Sequence, residues 1–235
     1  MMNRNGVILK NKVKAVIFDL DGTLVDSEPN YSEADDKMLA EYGIAELDTE
    51  MKNKYVGIGT KEMMEDIKKI YHINESIANL VAKKNKYYLE IAKKNTPVFP
   101  EMHKFLKFLK SNNYPLALAS GSSPEIIDTV LTITKLKEYF DVVLSAEQVE
   151  NGKPAPDVFL EAAKQLGVAS ENCLVVEDSQ PGVEAAKNAS MYCMALPYMM
   201  EESFHESFIM ADLLFKKGIS EFRVEKAIEW LQENG

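Results

Sequence analysis

Asp19 and Asp21 stand two apart at the end of a β-branched run, Val13-Lys14-Ala15-Val16-Ile17-Phe18, and Gly22 follows them. Residues two apart on an extended chain point the same way, so both carboxylates face one site. Glu177 and Asp178 close a second apolar run, Cys173–Val176, and Ser120 closes a third, Pro115–Ala119. Carboxylates gathered in one crevice repel unless a cation sits among them. An all-oxygen site that no His or Cys joins, with room for water and phosphate, suits Mg2+ rather than zinc. Ser120-Gly121-Ser122-Ser123-Pro124 brings hydroxyls and main-chain N–H groups to the start of a helix, where anions bind. Gly152-Lys153-Pro154-Ala155-Pro156 holds a Lys in a turn stiffened by its prolines. Such a Lys, aimed into a carboxylate-rich site, is a point charge for phosphate. Phosphoryl transfer needs positioning and charge neutralisation above all, and Mg2+, Lys153 and the Ser120 hydroxyl would supply both.

These groups meet only if the elements carrying them form one sheet. A buried strand ending in a polar turn marks a ligand-binding strand end in an open α/β fold. Strands are expected at Val13–Phe18, Pro115–Ala119, Asp141–Leu144, Cys173–Val176, Tyr192–Leu196 and Ala211–Phe215. Helices are expected between them at Glu101–Ser111, Glu125–Ile133, Pro156–Leu166 and Pro181–Asn188, with a last one at Glu221–Gln232. Alternating strands and helices predict a doubly wound parallel-sheet, Rossmann-like α/β core. From residue 28 to 95 the strand-like runs vanish. Helical stretches replace them at Ser32–Tyr42, Lys61–Tyr71 and Glu75–Lys94, with Met63, Met64, Ile67 and Ile70 at helix spacing. The expected organisation is a core of residues 1–27 and 96–235 with an inserted all-helical domain, 28–95. The hinges fall near Asp26–Pro29 and Asn95–Pro100.

The chain has 235 residues, 46% hydrophobic and 27% charged, an ordinary globular composition. It carries 27 basic against 37 acidic residues, a net charge of −10, which does not suit a nucleic-acid backbone. Cys173 and Cys193 form no Cys-x-x-Cys pair and read as buried small hydrophobes of a reducing compartment. No apolar run approaches a membrane span, and Met1–Lys14 lacks a signal-peptide core. The reading is a cytoplasmic protein with no nucleic-acid or membrane partner, a monomer or homodimer.

In its motifs the chain resembles the haloacid dehalogenase superfamily of phosphotransferases, over nearly its whole length. Phe18-Asp19-Leu20-Asp21-Gly22-Thr23-Leu24-Val25-Asp26-Ser27, Leu118-Ala119-Ser120-Gly121-Ser122, Gly152-Lys153-Pro154-Ala155-Pro156-Asp157 and Val176-Glu177-Asp178-Ser179 through Ala186 resemble the four family motifs in order. The helical insert after the first motif resembles the helical-cap subgroup, which includes β-phosphoglucomutase and small-metabolite phosphatases. The resemblance implies that Asp19 is the nucleophile, forming an aspartyl-phosphate, and that Asp21 is the acid–base partner. It implies Mg2+ held by Asp19, the Asp21 carbonyl and Asp178, with Glu177 helping directly or through water. Ser120 and the Gly121 N–H would bind the phosphoryl group, and Lys153 would neutralise it. The family's dehalogenases lack an acid–base Asp at the position of Asp21, so the pair implies phosphate chemistry.

Two departures count against a mutase. Tyr31 stands where the β-phosphoglucomutase relatives carry a His on the first cap helix, and Thr23 where the mutase branch often has an aliphatic residue. The implied activity is a phosphatase acting on a small phosphorylated metabolite, a sugar phosphate or nucleotide, with a phosphosugar mutase as the alternative. In the cap, Tyr31 faces the site or is a half-buried helix residue. Gly57, Thr60 and Lys61 belong to a Gly-rich stretch that would form a specificity loop, or a plain interhelix turn with Thr60 as N-cap. Lys84 and Lys86 are weaker candidates in the cap and read first as solvated. His72, His103 and His205 have no partner at a metal spacing.

Overall fold

A computed structural model describes residues 12–45, 47, 51–52, 55, 59–198 and 206–234. Its centre is a six-stranded, all-parallel sheet. The strands are β1 (Ala15–Phe18), β2 (Leu116–Ser120), β3 (Val142–Ser145), β4 (Cys173–Glu177), β5 (Tyr192–Ala195) and β6 (Leu213–Leu214), in the spatial order β3-β2-β1-β4-β5-β6. The chain builds outward from β1 on one side and then on the other, so the order reverses at β1. Ligands bind at that crevice, beyond the carboxyl ends of the strands.

The period of two along each strand sorts side chains by size. Val16, Phe18, Leu116, Leu118, Leu174, Val176 and Met194 join one buried cluster. Ala15, Ile17, Ala117, Ala119, Cys173, Val175, Cys193 and Ala195 join the other. Large residues thus crowd one face and mostly small ones the other. Both cysteines are buried thiols on the small face. The large face is covered by α4 (Pro100–Ser111), α5 (Pro124–Ile133) and α9 (Val224–Asn234), with Phe105 edge-on to Phe18 at 6.0 Å. The small face is covered by α6 (Asp157–Leu166) and α7 (Gln180–Asn188), through Val158, Phe159, Val183 and Ala186. A short α8 (Glu206–Ile209) adds Phe208 to this face.

Between β1 and α4 the described residues form helices only: α1 (Glu28–Ala40), α2 (Thr60–Ile70) and α3 (Ile77–Ala92). They enclose their own apolar cluster, including Met38, Leu39, Met63, Met64, Ile67 and Leu80. Ile70, expected on that face, is 46% exposed. The lower ends of the same helices, Ala34, Tyr88, Leu89, Ile91 and Ala92, pack instead into the large-face cluster. α1 starts at Glu28 rather than Ser32, because Pro29 lies in the first turn, where no N–H partner is needed. That shift puts Glu28, Tyr31 and Asp35 on one stripe of α1. No helix of the described residues is long and apolar enough to cross a membrane.

The size sorting has a measurable consequence. Ala117→Leu pushes added carbons into the tightly covered face and should cost about 1–3 kcal/mol of unfolding free energy in urea. A neutral or stabilising result would mean that this face has room to spare.

Candidate active site

β2 and β4 flank β1 in register, pairing Phe18 with Leu118 and with Val176. The residues just beyond these pairs therefore share one edge: Asp19 and Asp21 from β1, Ser120 from β2, and Glu177 with Asp178 from β4. Asp19 continues the parity of Ile17, so it leans to the small face. Lys153, from the segment between β3 and α6, reaches the same place over the Phe159 ring, at 4.9 Å. The Lys153–Pro154 peptide is cis.

The Lys153 ammonium is the hub. It donates to Asp19 Oδ1 at 2.6 Å and to Glu177 Oε1 at 2.5 Å. Burial opposes its charge, but Asp19 and Glu177 outweigh burial and hold it above its ordinary value. Burial likewise pushes Asp19 up, against the pull of Lys153, and Glu177 and Asp21 add to the rise. Burial, then Glu177 and Asp19, push Asp178 well up.

Sequence reasoning counts Glu177 among the metal ligands, yet both its oxygens are engaged here. Oε1 accepts from Lys153, and Oε2 accepts from the Asp178 and Ser179 N–H groups, each at 2.8 Å, and from Ser179 Oγ at 3.0 Å. Glu177 thus fixes the loop that presents Asp178. Ser179 continues the support by capping α7, accepting from the Gly182 N–H at 3.2 Å. Gly182 lies so close that a Cβ there would sit 1.8 Å from Glu177 Oε1.

Asp178 lies close enough to Asp19 for the two charges to interact, and accepts from Thr23 Oγ1 at 3.1 Å. Gly22 has a φ of +72°, and a Cβ on it would sit 2.1 Å from Asp178 Oδ2. The chain therefore leaves this carboxylate space that no other residue type would leave. Asp19 and Asp178 are like charges that raise one another's pKa. A small hard cation between them relieves that repulsion, so the oxygen donors present fit Mg2+. Among the described residues no group of three or more His, Cys, Asp or Glu could hold a metal by itself. The remaining ligands would be main-chain, water or phosphate oxygens.

Asp21 is held separately. Its Oδ2 accepts from Ser122 Oγ at 2.7 Å and from Ser120 Oγ at 3.4 Å, while Oδ1 is buried with no hydrogen-bond partner among the described residues. Because Ser122 gives its proton to Asp21, the Tyr31 hydroxyl donates to Ser122 Oγ, at 2.6 Å. Tyr31 stacks on Tyr88 with centroids 4.1 Å apart, so the phenol crosses from α1 to the end of β2. Ser122 lay within the quoted Ser-Gly-Ser motif, but its partner Asp21 could not be read from spacing.

A cavity of about 390 Å3 opens over these groups. Asp19, Asp21, Gly121, Lys153 and Asp178 line its floor, and Tyr31, Thr60 and Lys61 line its cap side. Ser120 and Glu177 are fully buried beneath. Gly57 and His205 lie outside the described residues. Thr60 is the first residue of α2 and Gly59 is its N-cap, with Glu62 Oε2 accepting from the Gly59 N–H at 3.0 Å. His103 bonds the Tyr139 hydroxyl at 3.1 Å, in the core rather than at the site.

Lys84 corrects the sequence reading. It is 4% exposed, not solvated, and pairs with Asp35 at 2.8 Å at the upper end of the cavity. Glu28 lines the same region and makes no hydrogen bond or ion pair among the described residues. Burial and then Asp21 push its carboxyl up to about 7.

A family model described as haloacid dehalogenase-like hydrolase matches residues 16–196. A phosphorylated carbohydrates phosphatase of Thermotoga maritima is 34% identical over 183 residues, covering 76% of this chain and 82% of its own. A phosphoglycolate phosphatase of Aquifex aeolicus is 32% identical over 177 residues, covering 75% and 81%. The crystal structure of a β-phosphoglucomutase from Clostridium difficile superposes with a TM-score of 0.79 at 28% identity, over 94% of this chain and 98% of that one.

Gly182→Ala tests the support beneath the site. Crowding Glu177 should destabilise the fold by about 1–3 kcal/mol and lower kcat together with stability. Unchanged unfolding and turnover would mean that Glu177 can move without consequence.

Proposed function

The chain belongs to the haloacid dehalogenase-like hydrolases, and from that premise we propose that it is a Mg2+-dependent phosphatase of a small phosphorylated metabolite, acting through an aspartyl-phosphate on Asp19. One observation carries the reading: Asp19 is held by a buried ammonium at 2.6 Å while Asp21, in the same cavity, is held by hydroxyls alone. Two carboxylates in unlike settings suit unlike roles.

Lys153 favours the ionised form of Asp19 against burial and orients it for attack on phosphorus, with its charge toward the incoming phosphoryl oxygens. The bond from phosphorus to the leaving oxygen breaks as the bond to Asp19 forms. Asp21, oriented by Ser122 and Ser120, protonates that oxygen. It then takes a proton from the water that attacks the aspartyl-phosphate, which frees phosphate and restores Asp19. Ser120 Oγ and the Gly121 N–H receive the transferred group. Asp19, Asp178 and the Asp21 main-chain carbonyl would hold Mg2+, which when bound neutralises phosphoryl oxygens. Glu177 acts by position, keeping Lys153 and Asp178 in place. Residues 28–95 serve as a cap over a core of residues 1–27 and 96–235, closing to exclude water and opening for exchange.

The likeness to a β-phosphoglucomutase favours a second reading, transfer to a sugar hydroxyl instead of water. The same assay separates the two, since a mutase forms glucose 6-phosphate from β-glucose 1-phosphate without releasing phosphate.

Asp19→Asn should lower phosphate release at least about a thousandfold while circular dichroism stays that of the wild type. Substantial remaining turnover would rule out Asp19 as nucleophile. Chelation with EDTA should stop release and added Mg2+ should restore it; full activity in EDTA would remove the metal from the account.

A further inference from the structure

Asp21 is the acid–base partner of the proposed reaction, so the oxygen on which it carries a proton matters. The hydrogen bonds around it run in one direction. The Ser122 N–H donates to Ser120 Oγ at 3.0 Å, and Ser120 Oγ gives its own proton to Asp21 Oδ2 at 3.4 Å. Ser122 Oγ donates to the same oxygen at 2.7 Å, and the Tyr31 hydroxyl lies 2.6 Å from Ser122 Oγ. Burial, then the charge of Asp21, hold the Tyr31 phenol well above its ordinary pKa, so it keeps a proton to give.

Ser122 is the pivot. A hydroxyl has one proton and two lone pairs, so its neighbours set the direction of its bonds. With Tyr31 donating into it, its proton goes to Asp21 Oδ2. Its main chain is fixed without Tyr31, because Ser145 Oγ donates to the Ser122 carbonyl at 2.7 Å and Ser120 Oγ accepts from the Ser122 N–H. The Tyr31 ring is fixed in turn by its stack on Tyr88, with centroids 4.1 Å apart. The phenol hydroxyl therefore gives Ser122 direction rather than place. Two donors fill Oδ2, so a proton taken up by Asp21 goes to Oδ1. Without the phenol hydroxyl, Ser122 Oγ is free to accept. A proton on Asp21 Oδ2 would then bond to the serine instead of being offered to the substrate.

We infer that Tyr31 is a positioning residue for the acid–base step: by donating to Ser122 Oγ, its hydroxyl keeps the transferable proton of Asp21 on Oδ1. That proton passes to the leaving oxygen as its bond to phosphorus breaks, and a proton of the attacking water returns to Oδ1 in the second half. The inference rests on the phosphatase reading and adds to it a residue that acts through another.

The test compares leaving groups that differ in their need for a proton. Nitrophenolate departs without one, whereas an alkoxide requires it. kcat/KM is measured with Mg2+ for p-nitrophenyl phosphate and for ribose 5-phosphate, glucose 6-phosphate, phosphoglycolate and uridine monophosphate, the fastest of the four giving the alkyl value. Tyr31→Phe, which keeps the ring stack, should lower the ratio of alkyl to p-nitrophenyl kcat/KM about thirtyfold. Ser122→Ala should lower it as far, and adding Tyr31→Phe to Ser122→Ala should lower it no further. An unchanged ratio, with equal losses on both substrates, marks Tyr31 as structural. Losses that multiply in the double variant mean that it does not act through Ser122. Either result, or a wild type that hydrolyses p-nitrophenyl phosphate alone, overturns the inference and leaves phosphate-ester hydrolysis standing. No phosphate release from any compound overturns the phosphatase reading, and the inference falls with it.

Discussion

The Lys153 ammonium, shared by Asp19 and Glu177 in a place with almost no solvent, is the interaction on which the rest of the site depends. Three carboxylates, Asp19, Glu177 and Asp178, are buried at adjoining strand ends. Without a cation they could not all stay ionised. One ammonium balances part of that charge. The remainder favours a further cation on the Asp178 side, which is the electrostatic basis of the proposed metal-dependent phosphate site. The same ammonium sets the roles apart, since Asp19 receives it directly and Asp21 is held by hydroxyls.

The fold supplies this geometry through the two-residue period of its central strands. Asp19 and Glu177 continue the parity of Ile17 and Val175, so they lean to the face packed with small side chains. There α6 brings Phe159 beneath Lys153, and α7 brings Gly182 against Glu177. The large residues on the opposite face, Phe18, Phe105 and Phe222 among them, anchor the sheet and the lower ends of the cap helices. Packing on one face thus leaves the other free to be shaped for chemistry.

Much of this was legible in the chain. The parallel sheet and the polar positions at its edge follow from apolar runs ending in turns, each set by residues adjacent in sequence. What escaped depends on partners far apart. Lys84 reads as solvated because nothing nearby shows that Asp35, on another helix, goes into the interior with it. Ser122 sits in a recognisable motif, but its bond to Asp21 joins different strand ends. Glu177 looks like one more ligand until its oxygens are seen to be occupied by Lys153 and by its own following main chain. Glu28 is hidden in the sequence because the helical pattern begins after Pro29, whereas a first-turn proline allows α1 to begin before it.

The claim most exposed to refutation is that the phosphoryl group passes through Asp19. A single turnover with excess enzyme, quenched in acid and digested, would show it by mass spectrometry of the peptides. The account expects a phosphoryl adduct on the peptide carrying Asp19, removed by hydroxylamine and missing in the Asp19→Asn enzyme. Phosphate release at full rate with no adduct on that peptide at any quench time, or an adduct on another residue, would contradict it.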